Sequence, residues 1–488
     1  MDFPQLFSAF YVATVFGLSV HGFVFLIFAF LFLSTRRPAH GAPTLDEWPS
    51  VTVQLPVFNE RLVVERLIDA VAALDYPRDK LSIQVLDDST DETTALACSR
   101  AAYYRARGLQ VQHLHRSRPR GHKAGALAEG FETAPGEYLA LFDADFLPPR
   151  DFLRRTMPYF ADPAVGMVQA RWGHLNDDYN VLTQAQSIAL DGYQIVEHSV
   201  RSRLGLMLNF NGSAGIWRRE CIAQAGGWQA DTLAEDLDLS FRAQLTGWRL
   251  LYLPHIVVPC EIPPRILALK RQLFRWTKGT AQVFWKLGWR LLTSRETPAR
   301  KLYGLIHLGQ SFSPLLMITL VLTTLPMILW GGLEGLRLDI FGLAALGAPV
   351  MFSLSQWATY RDWPRRLAYF PLLVLLAMGM SLSNSWATLE ALLGRNPTLF
   401  LRTPKYRIHG QNVTQAAPEY ALSLDWTVWG EIVLALYCAA TTVAAIRFVP
   451  GLALIPAIYA AGFAYTAVLG LQDGLRPANV EWRMQNAD

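Results

Sequence analysis

Cysteine is scarce in this chain. The four, Cys98, Cys221, Cys260 and Cys438, are scattered, and none forms a C-x-x-C pair. That spacing supports neither a zinc site nor a disulfide scaffold, and it suits a soluble part kept in a reducing cytoplasm. An excess of one charge is missing too. A net +4 over 488 residues is too small to argue for nucleic acid as a partner. The basic residues cluster instead beside apolar segments, a placement that suits an anionic cytoplasmic leaflet. The chain has no G-x-G-x-x-G, which sets a dinucleotide oxidoreductase aside, and no internal repeat or low-complexity tract. What it has is apolar residues, 52% hydrophobic and 12% aromatic, rich for a soluble enzyme and lean for a pure membrane bundle. The length accommodates a soluble domain and a membrane part together.

Residues 5–34 form an uncharged apolar run, long enough to cross a bilayer at about 20 residues per span. Asp2 stands where a cleaved signal would carry a basic start, and Arg36 and Arg37 follow the run. Residues 1–37 therefore read as a transmembrane helix with its N-terminus outside and the following domain in the cytoplasm. Further apolar runs cover 303–332, 340–360, 426–446 (with Glu431 near its start) and 448–472, giving a C-terminal membrane region over 301–472. The stretch 367–394 differs: its apolar part, Leu367 to Met380, is short for a span, and arginines flank it on both sides. It reads as re-entrant or interfacial, so five spans are expected, with six as the alternative. Residues 262–295 mix Trp276, Trp285 and Trp289 with Lys270, Arg271, Arg275, Lys278, Lys286 and Arg290. That is the composition of amphipathic helices lying in the membrane interface.

Between residues 48 and 261, strand-like and helix-like segments alternate. Strands are expected at 51–58, 81–88, 109–115, 138–145 and 165–172, and helices at 60–74, 91–107 and 122–133. Alternation of this kind predicts a largely parallel sheet with helices on both faces, its ligands gathered at the strand ends. One expected strand ends in Asp143-x-Asp145, two hard oxygen ligands suited to Mg²⁺ or Mn²⁺ held together with substrate phosphates. Asp87 and Asp88 end another strand, as acceptors for a base or ribose or as an Asx turn capping the next helix. Lys123 sits in a glycine-flanked turn entering a helix, a place that suits a diphosphate. Phe210-Asn211-Gly212-Ser213 is a small-residue turn that a ligand could approach closely. Glu235, Asp236 and Asp238 open a further helical pattern, where acids are ordinary partners of the helix dipole.

The ordered set QLPVFNE (54–60), QVLDDSTD (84–91), HKAGAL (122–127), LFDADF (141–146), VQARW (168–172), FNGSAGIWR (210–218), AGGW (225–228), EDLDLS (235–240) and QLFRW (272–276) resembles the membrane-embedded family 2 glycosyltransferases. It is most similar to the cellulose-synthase-like mannan and glucan synthases. The resemblance covers about residues 48–280 and implies a Rossmann-like α/β GT-A domain inserted between transmembrane helices of a multi-pass plasma-membrane protein. It implies an inverting, metal-dependent hexosyltransferase that takes a hexose from UDP-glucose or GDP-mannose onto a growing β-linked polysaccharide. Carried over, Asp87 or Asp88 would hold the nucleoside, Lys123 the diphosphate, and Asp143 and Asp145 the Mg²⁺ or Mn²⁺. Asp236 would be the catalytic base. Gln272, Arg275 and Trp276 would line the place where acceptor meets donor, with Phe210, Asn211, Gly212 and Ser213 nearby. Phe400-Leu401-Arg402-Thr403-Pro404-Lys405 resembles the F-x-V-T-x-K gating loop of cellulose synthases, so 395–407 is expected to be a cytoplasmic lid with Thr403 and Lys405 reaching the donor. Two positions depart from the family: Leu273 in Q-x-x-R-W, and Ala234 where a threonine precedes the Glu-Asp pair. Single-transfer enzymes that glycosylate ceramide or a polyprenyl phosphate share the shorter Q-x-x-R-W form, and they are the alternative reading.

Overall fold

The structure, a computed structural model, describes residues 3–35, 45, 47–333, 339–394, 403–408 and 422–475. Residues 395–402 of the expected lid, and Arg36 and Arg37, lie outside the described residues. Seven strands form one sheet: β1 (Val51–Val57), β2 (Leu81–Asp87), β3 (Gln110–His115), β4 (Tyr138–Leu141), β5 (Val165–His174), β6 (Gly215–Arg218) and β7 (Arg249–Cys260). Their order is β3-β2-β1-β4-β6-β5-β7. β6 runs antiparallel to β4 and β5, and the other pairings are parallel, so six strands end at the same edge.

The two-residue period of a strand sorts its side chains onto two covered faces. Val51, Val53, Leu55 and Val57 pack in one core with Leu67, Ile68 and Val71 of the helix Val64–Ala72. Leu139, Leu141 and Met167 pack in the other with Leu127 of the helix His122–Thr133 and with Leu239 and Ala243 of the helix Glu235–Leu245. Where the alternation places polar residues inside, they pair across strands: Thr52 with Ser82 at 2.8 Å, and Gln54 donating to Gln84 at 3.0 Å.

The helix expected at 122–133 has those bounds, and the other two are shorter, Val64–Ala72 and Thr93–Arg105. The expected strand 138–145 ends at Leu141. Asp143 and Asp145 therefore stand on the loop beyond it, where Phe146 N–H closes a turn onto the Asp143 carbonyl at 3.0 Å. The sheet also gains β6 and β7, neither anticipated from the sequence.

Beyond the sheet, residues 262–295 hold one 28-residue helix, Ile266–Thr293, in place of several. Among the described residues five helices are long and apolar enough to cross a membrane: Gln5–Ser34, Pro298–Leu329, Ile340–Thr359, Thr427–Phe448 and Pro450–Leu475. The ambiguous stretch is a pair, Trp363–Gly379 and Ser381–Leu392, bent by 42°, and counting it as one broken span makes six.

Candidate active site

A cleft of about 440 Å³ opens at the carboxyl edge of the sheet. Its walls come from the ends of β1, β2, β4 and β7, the turn before β6, the start of the helix Glu235–Leu245, the helix Ile266–Thr293 and the segment 403–408. Asp88, Lys123, Asn211, Gly212, Asp143, Asp145, Asp236, Gln272, Arg275, Trp276, Thr403 and Lys405 all line it. Asp87, Phe210 and Ser213 do not.

Those three act from behind the wall. Asp87 is buried, accepts from Ser89 N–H at 2.8 Å, and meets His113 Nε2 and His115 Nδ1 at 3.0 and 3.1 Å. Burial opposes its ionisation, but the hydrogen bonds from His113, Ser89 and Thr94 outweigh that and hold its carboxyl below the usual range. Asp87 thus fixes the strand end, and Asp88 is the acid of the two that lines the cleft. Phe210 is a core side chain packed edge-on to Trp217 with ring centroids 5.7 Å apart. The buried Ser213 hydroxyl accepts from Asp143 N–H at 2.9 Å and sets the Asp-x-Asp loop. Asp87, Phe210 and Ser213, expected to meet a ligand, thus stand behind the cleft lining.

Each acid of the Asp-x-Asp pair faces an ammonium. Lys123 donates to Asp143 at 2.5 Å and to the Gly212 carbonyl at 2.8 Å, and Lys405 donates to Asp145 at 2.7 Å. Burial lowers the pKa of Lys123, but Asp143 and Glu235 overcome it and leave the lysine above its ordinary value. Among the described residues no three His, Cys, Asp or Glu side chains gather as a metal set. Two carboxylates on one loop of the cleft nevertheless suit a hard divalent cation that completes its shell with donor phosphate and water oxygens.

Asp236 stands in the first turn of its helix, and its Oδ1 accepts from Leu237 N–H at 2.8 Å. Desolvation in the cleft and then the neighbouring Glu235 carboxylate raise its pKa to about 7. Gly212 lies against it with φ +83°. A Cβ there would come 2.8 Å from Asp236 Oδ2 and 3.3 Å from Lys123 Nζ, so only glycine supplies both the backbone angle and the space. Arg275 faces Glu235, Asp143, Asp236 and Asp145; burial lowers its pKa and these four acids act to keep it charged.

Two wall residues, Glu261 and Trp172, and one residue behind the wall, Arg116, went unassigned in the sequence. Arg116 forms a two-pronged pair with Asp88, both contacts 2.6 Å. Glu261, at the end of β7, accepts from Arg66 at 2.7 Å and from the backbone N–H of Tyr406 at 3.1 Å, tying down the 403–408 segment. Trp172 stands 6.5 Å from Trp276 between ring centroids and 5.2 Å from Phe146. It closes the VQARW run, so a signal for it was present in the sequence. The partners of Arg116 and Glu261 are distant in the chain, and no local pattern reveals them.

Residues 49–279 match the sequence model of the glycosyltransferase-like family 2. This segment is a family 2 glycosyltransferase domain of GT-A fold. The chain is similar to glucomannan 4-beta-mannosyltransferase 9 of Arabidopsis thaliana, 40% identical over 273 residues, covering 54% of this chain and 50% of that one. It is similar also to glucomannan 4-beta-mannosyltransferase 2 of Arabidopsis thaliana, 42% identical over 270 residues (53% and 50%). Probable glucomannan 4-beta-mannosyltransferase 7 of Oryza sativa subsp. japonica is 36% identical over 359 residues (71% and 60%). The chain thus spans about half the length of the curated relatives it matches. Among solved structures, the mannosyltransferase PcManGT from Pyrobaculum calidifontis, in complex with GDP-Man and Mn²⁺, shares the fold. Its TM-score is 0.56 at 22% identity, over 80% of this chain and all of that one.

Proposed function

We propose that the chain is an inverting hexosyltransferase that moves mannose from GDP-mannose to a growing β-linked mannan-type polysaccharide and passes the product through its own membrane helices. The observation that carries this reading is the meeting, in one cleft, of Asp143 and Asp145, Lys123, Asp236 and the Arg275-Trp276 pair. Of the two donors expected, UDP-glucose and GDP-mannose, the names of the relatives favour the mannosyl donor.

The acceptor end is an aromatic wall, Trp276 and Trp172, suited to stacking on a sugar ring. Asp236 takes the proton of the acceptor hydroxyl as that oxygen attacks the anomeric carbon; the bond to the diphosphate breaks with its electron pair, and configuration inverts. Lys123 and Arg275 supply positive charge where the diphosphate oxygens leave. When bound on Asp143 and Asp145, Mg²⁺ or Mn²⁺ supplies further charge to the same leaving group. Asp88, held by Arg116, is the acid placed for the nucleoside.

We place the catalytic domain in the cytoplasm of a multi-pass plasma-membrane protein, with the helix Ile266–Thr293 in the interface. Its Trp285 and Trp289 are 77% and 74% exposed, as interfacial tryptophans would be without lipid. The segment 403–408 acts as the lid. Thr403 lines the cleft, and its buried hydroxyl has no hydrogen-bond partner among the described residues, as fits a group that a ligand could satisfy. The alternative, one transfer to a ceramide or polyprenyl phosphate, would require neither the lid nor the four or five membrane segments after the domain. Incubating membranes containing the chain with each radiolabelled donor, then analysing linkage, tests the reading. β-Linked polymer from GDP-mannose supports it, and a glycolipid as the sole product replaces it.

A further inference from the structure

The helix Ile266–Thr293 belongs to two cores. Ile266 to Leu269 pack with Leu376, Met380, Val428 and Ala467 of the membrane helices. Val283, Leu287 and Leu291 pack with Leu237 and Phe241 of the helix that begins at Glu235 and Asp236. Its Gly279 presses on the residues just before the base: a Cβ there would come 2.8 Å from the Ala234 backbone nitrogen. Beyond it, Gln282 accepts from Leu233 N–H at 2.8 Å, and Lys286 meets Asp238 at 2.9 Å. This helix therefore links the membrane helices mechanically to the loop of the catalytic base.

Two lysines on it are buried, and each has a carboxylate on a membrane helix. Lys270 meets Glu431 of the span Thr427–Phe448 at 2.6 Å, with both side chains at 2% exposure or less. Lys278 meets Glu390 of the helix Ser381–Leu392 at 2.8 Å. Gln272, Arg275 and Trp276 lie between these two lysines. A buried ion pair is weak as a source of net stability, because desolvation offsets its attraction, but it is exacting about geometry. Apolar contacts permit a helix to slide or turn; two charge pairs fastened to two different helices permit far less.

We propose that Lys270–Glu431 and Lys278–Glu390 are positioning pairs. They set the height and rotation of the acceptor-side helix, so that Arg275 and Trp276 stand correctly against Asp236. This inference rests on the glycosyltransferase reading and goes beyond it, because it assigns work at the site to residues that touch no substrate.

The test uses the full chain in nanodiscs, with Cys98 replaced by serine and spin labels at the exposed positions Trp289 and Glu132. The variants are Glu431→Gln, Glu390→Gln and the reversed pair Lys270→Glu with Glu431→Lys. Donor KM, kcat and the distance distribution between the labels are measured for each. A misplacement near 1 Å can cost about 100-fold in rate, so the single variants are expected to broaden the distances and lower kcat about 10- to 100-fold. Donor KM should change much less than kcat, because Asp88, Lys123 and the Asp143–Asp145 loop are untouched and only the Arg275 contact is displaced, and the reversed pair should recover most of both losses. Glu431→Gln strips the partner from a fully buried ammonium; if that variant does not fold, Glu390→Gln decides, since its carboxylate is 22% exposed. Wild-type distances and kcat in the single variants overturn the proposal, as does a parallel loss of donor affinity. A wild-type chain that transfers no hexose overturns the functional reading instead, and the label distances then decide the positioning claim alone.

Discussion

Lys405 reaches across 260 positions of sequence to place its ammonium 2.7 Å from Asp145. The contact joins the lid segment to the second acid of the Asp-x-Asp pair, and the Glu261 clasp on the Tyr406 backbone holds it there. A cation arriving with the donor must share Asp145 with this lysine or displace it. Lys405→Ala should therefore lower the Mn²⁺ concentration needed for half-maximal nucleotide binding, because it removes a competing ion pair. Titration calorimetry with nucleotide at stepped Mn²⁺ concentrations reads this. The double variant Thr403→Ala, Lys405→Ala should lose turnover, and normal turnover in it would refute the lid.

The paired acids Asp143 and Asp145 are too few to hold a metal firmly without a donor. EDTA should abolish transfer, and Mg²⁺ or Mn²⁺ should restore it. Full activity after exhaustive chelation would remove the metal role.

Asp236→Asn keeps size and most hydrogen bonding but takes away the proton acceptor. Transfer should fall by about 10² to 10⁴ while nucleotide affinity changes little. A proportional loss of donor binding would mean that these acids only cap their helix.

The same residue predicts a pH profile. A base works deprotonated, and desolvation followed by Glu235 raises the Asp236 pKa to about 7. Thus kcat/KM should rise with pH and level off above about 7. Glu235→Gln removes the neighbouring negative charge that helps hold that pKa up, so the inflection should move to lower pH. An inflection that stays put, or moves up, contradicts the pairing.

Gly212→Ala tests the closeness of the site's parts. The added methyl meets Asp236 Oδ2 and Lys123 Nζ, and φ +83° costs a non-glycine residue about 1–2 kcal/mol. Transfer should drop at least about tenfold in a chain that still folds, as judged by thermal unfolding. Near-normal transfer would show that the loop has room to relax.

Strands β1 and β2 and the helix from His122 were legible because period-two alternation of apolar side chains and a glycine-flanked entry are local signals. β6 was hidden because four residues beside a tight turn carry no period. β7 was hidden by Pro254 and Pro259, which read as breakers. Most of the cleft was readable from acids and a lysine at strand ends. Which of two adjacent acids lines the cleft was not: backbone geometry at the end of β2 turns Asp87 toward His113 and Asp88 toward Arg116. Phe210 and Ser213 share a motif with Asn211 and Gly212, yet alternate directions along the turn send them into the interior. The pairs Lys405–Asp145 and Lys270–Glu431 join residues 260 and 161 positions apart, beyond any periodicity.

The most direct measurement is product analysis with the purified full chain, Mn²⁺ and either GDP-[¹⁴C]mannose or UDP-[¹⁴C]glucose, the Asp236→Asn variant run beside it. The expected result is β-linked, polymer-sized label from GDP-mannose that is lost in the variant. Label with α-linkage, equal label from Asp236→Asn, or none from either donor would contradict it.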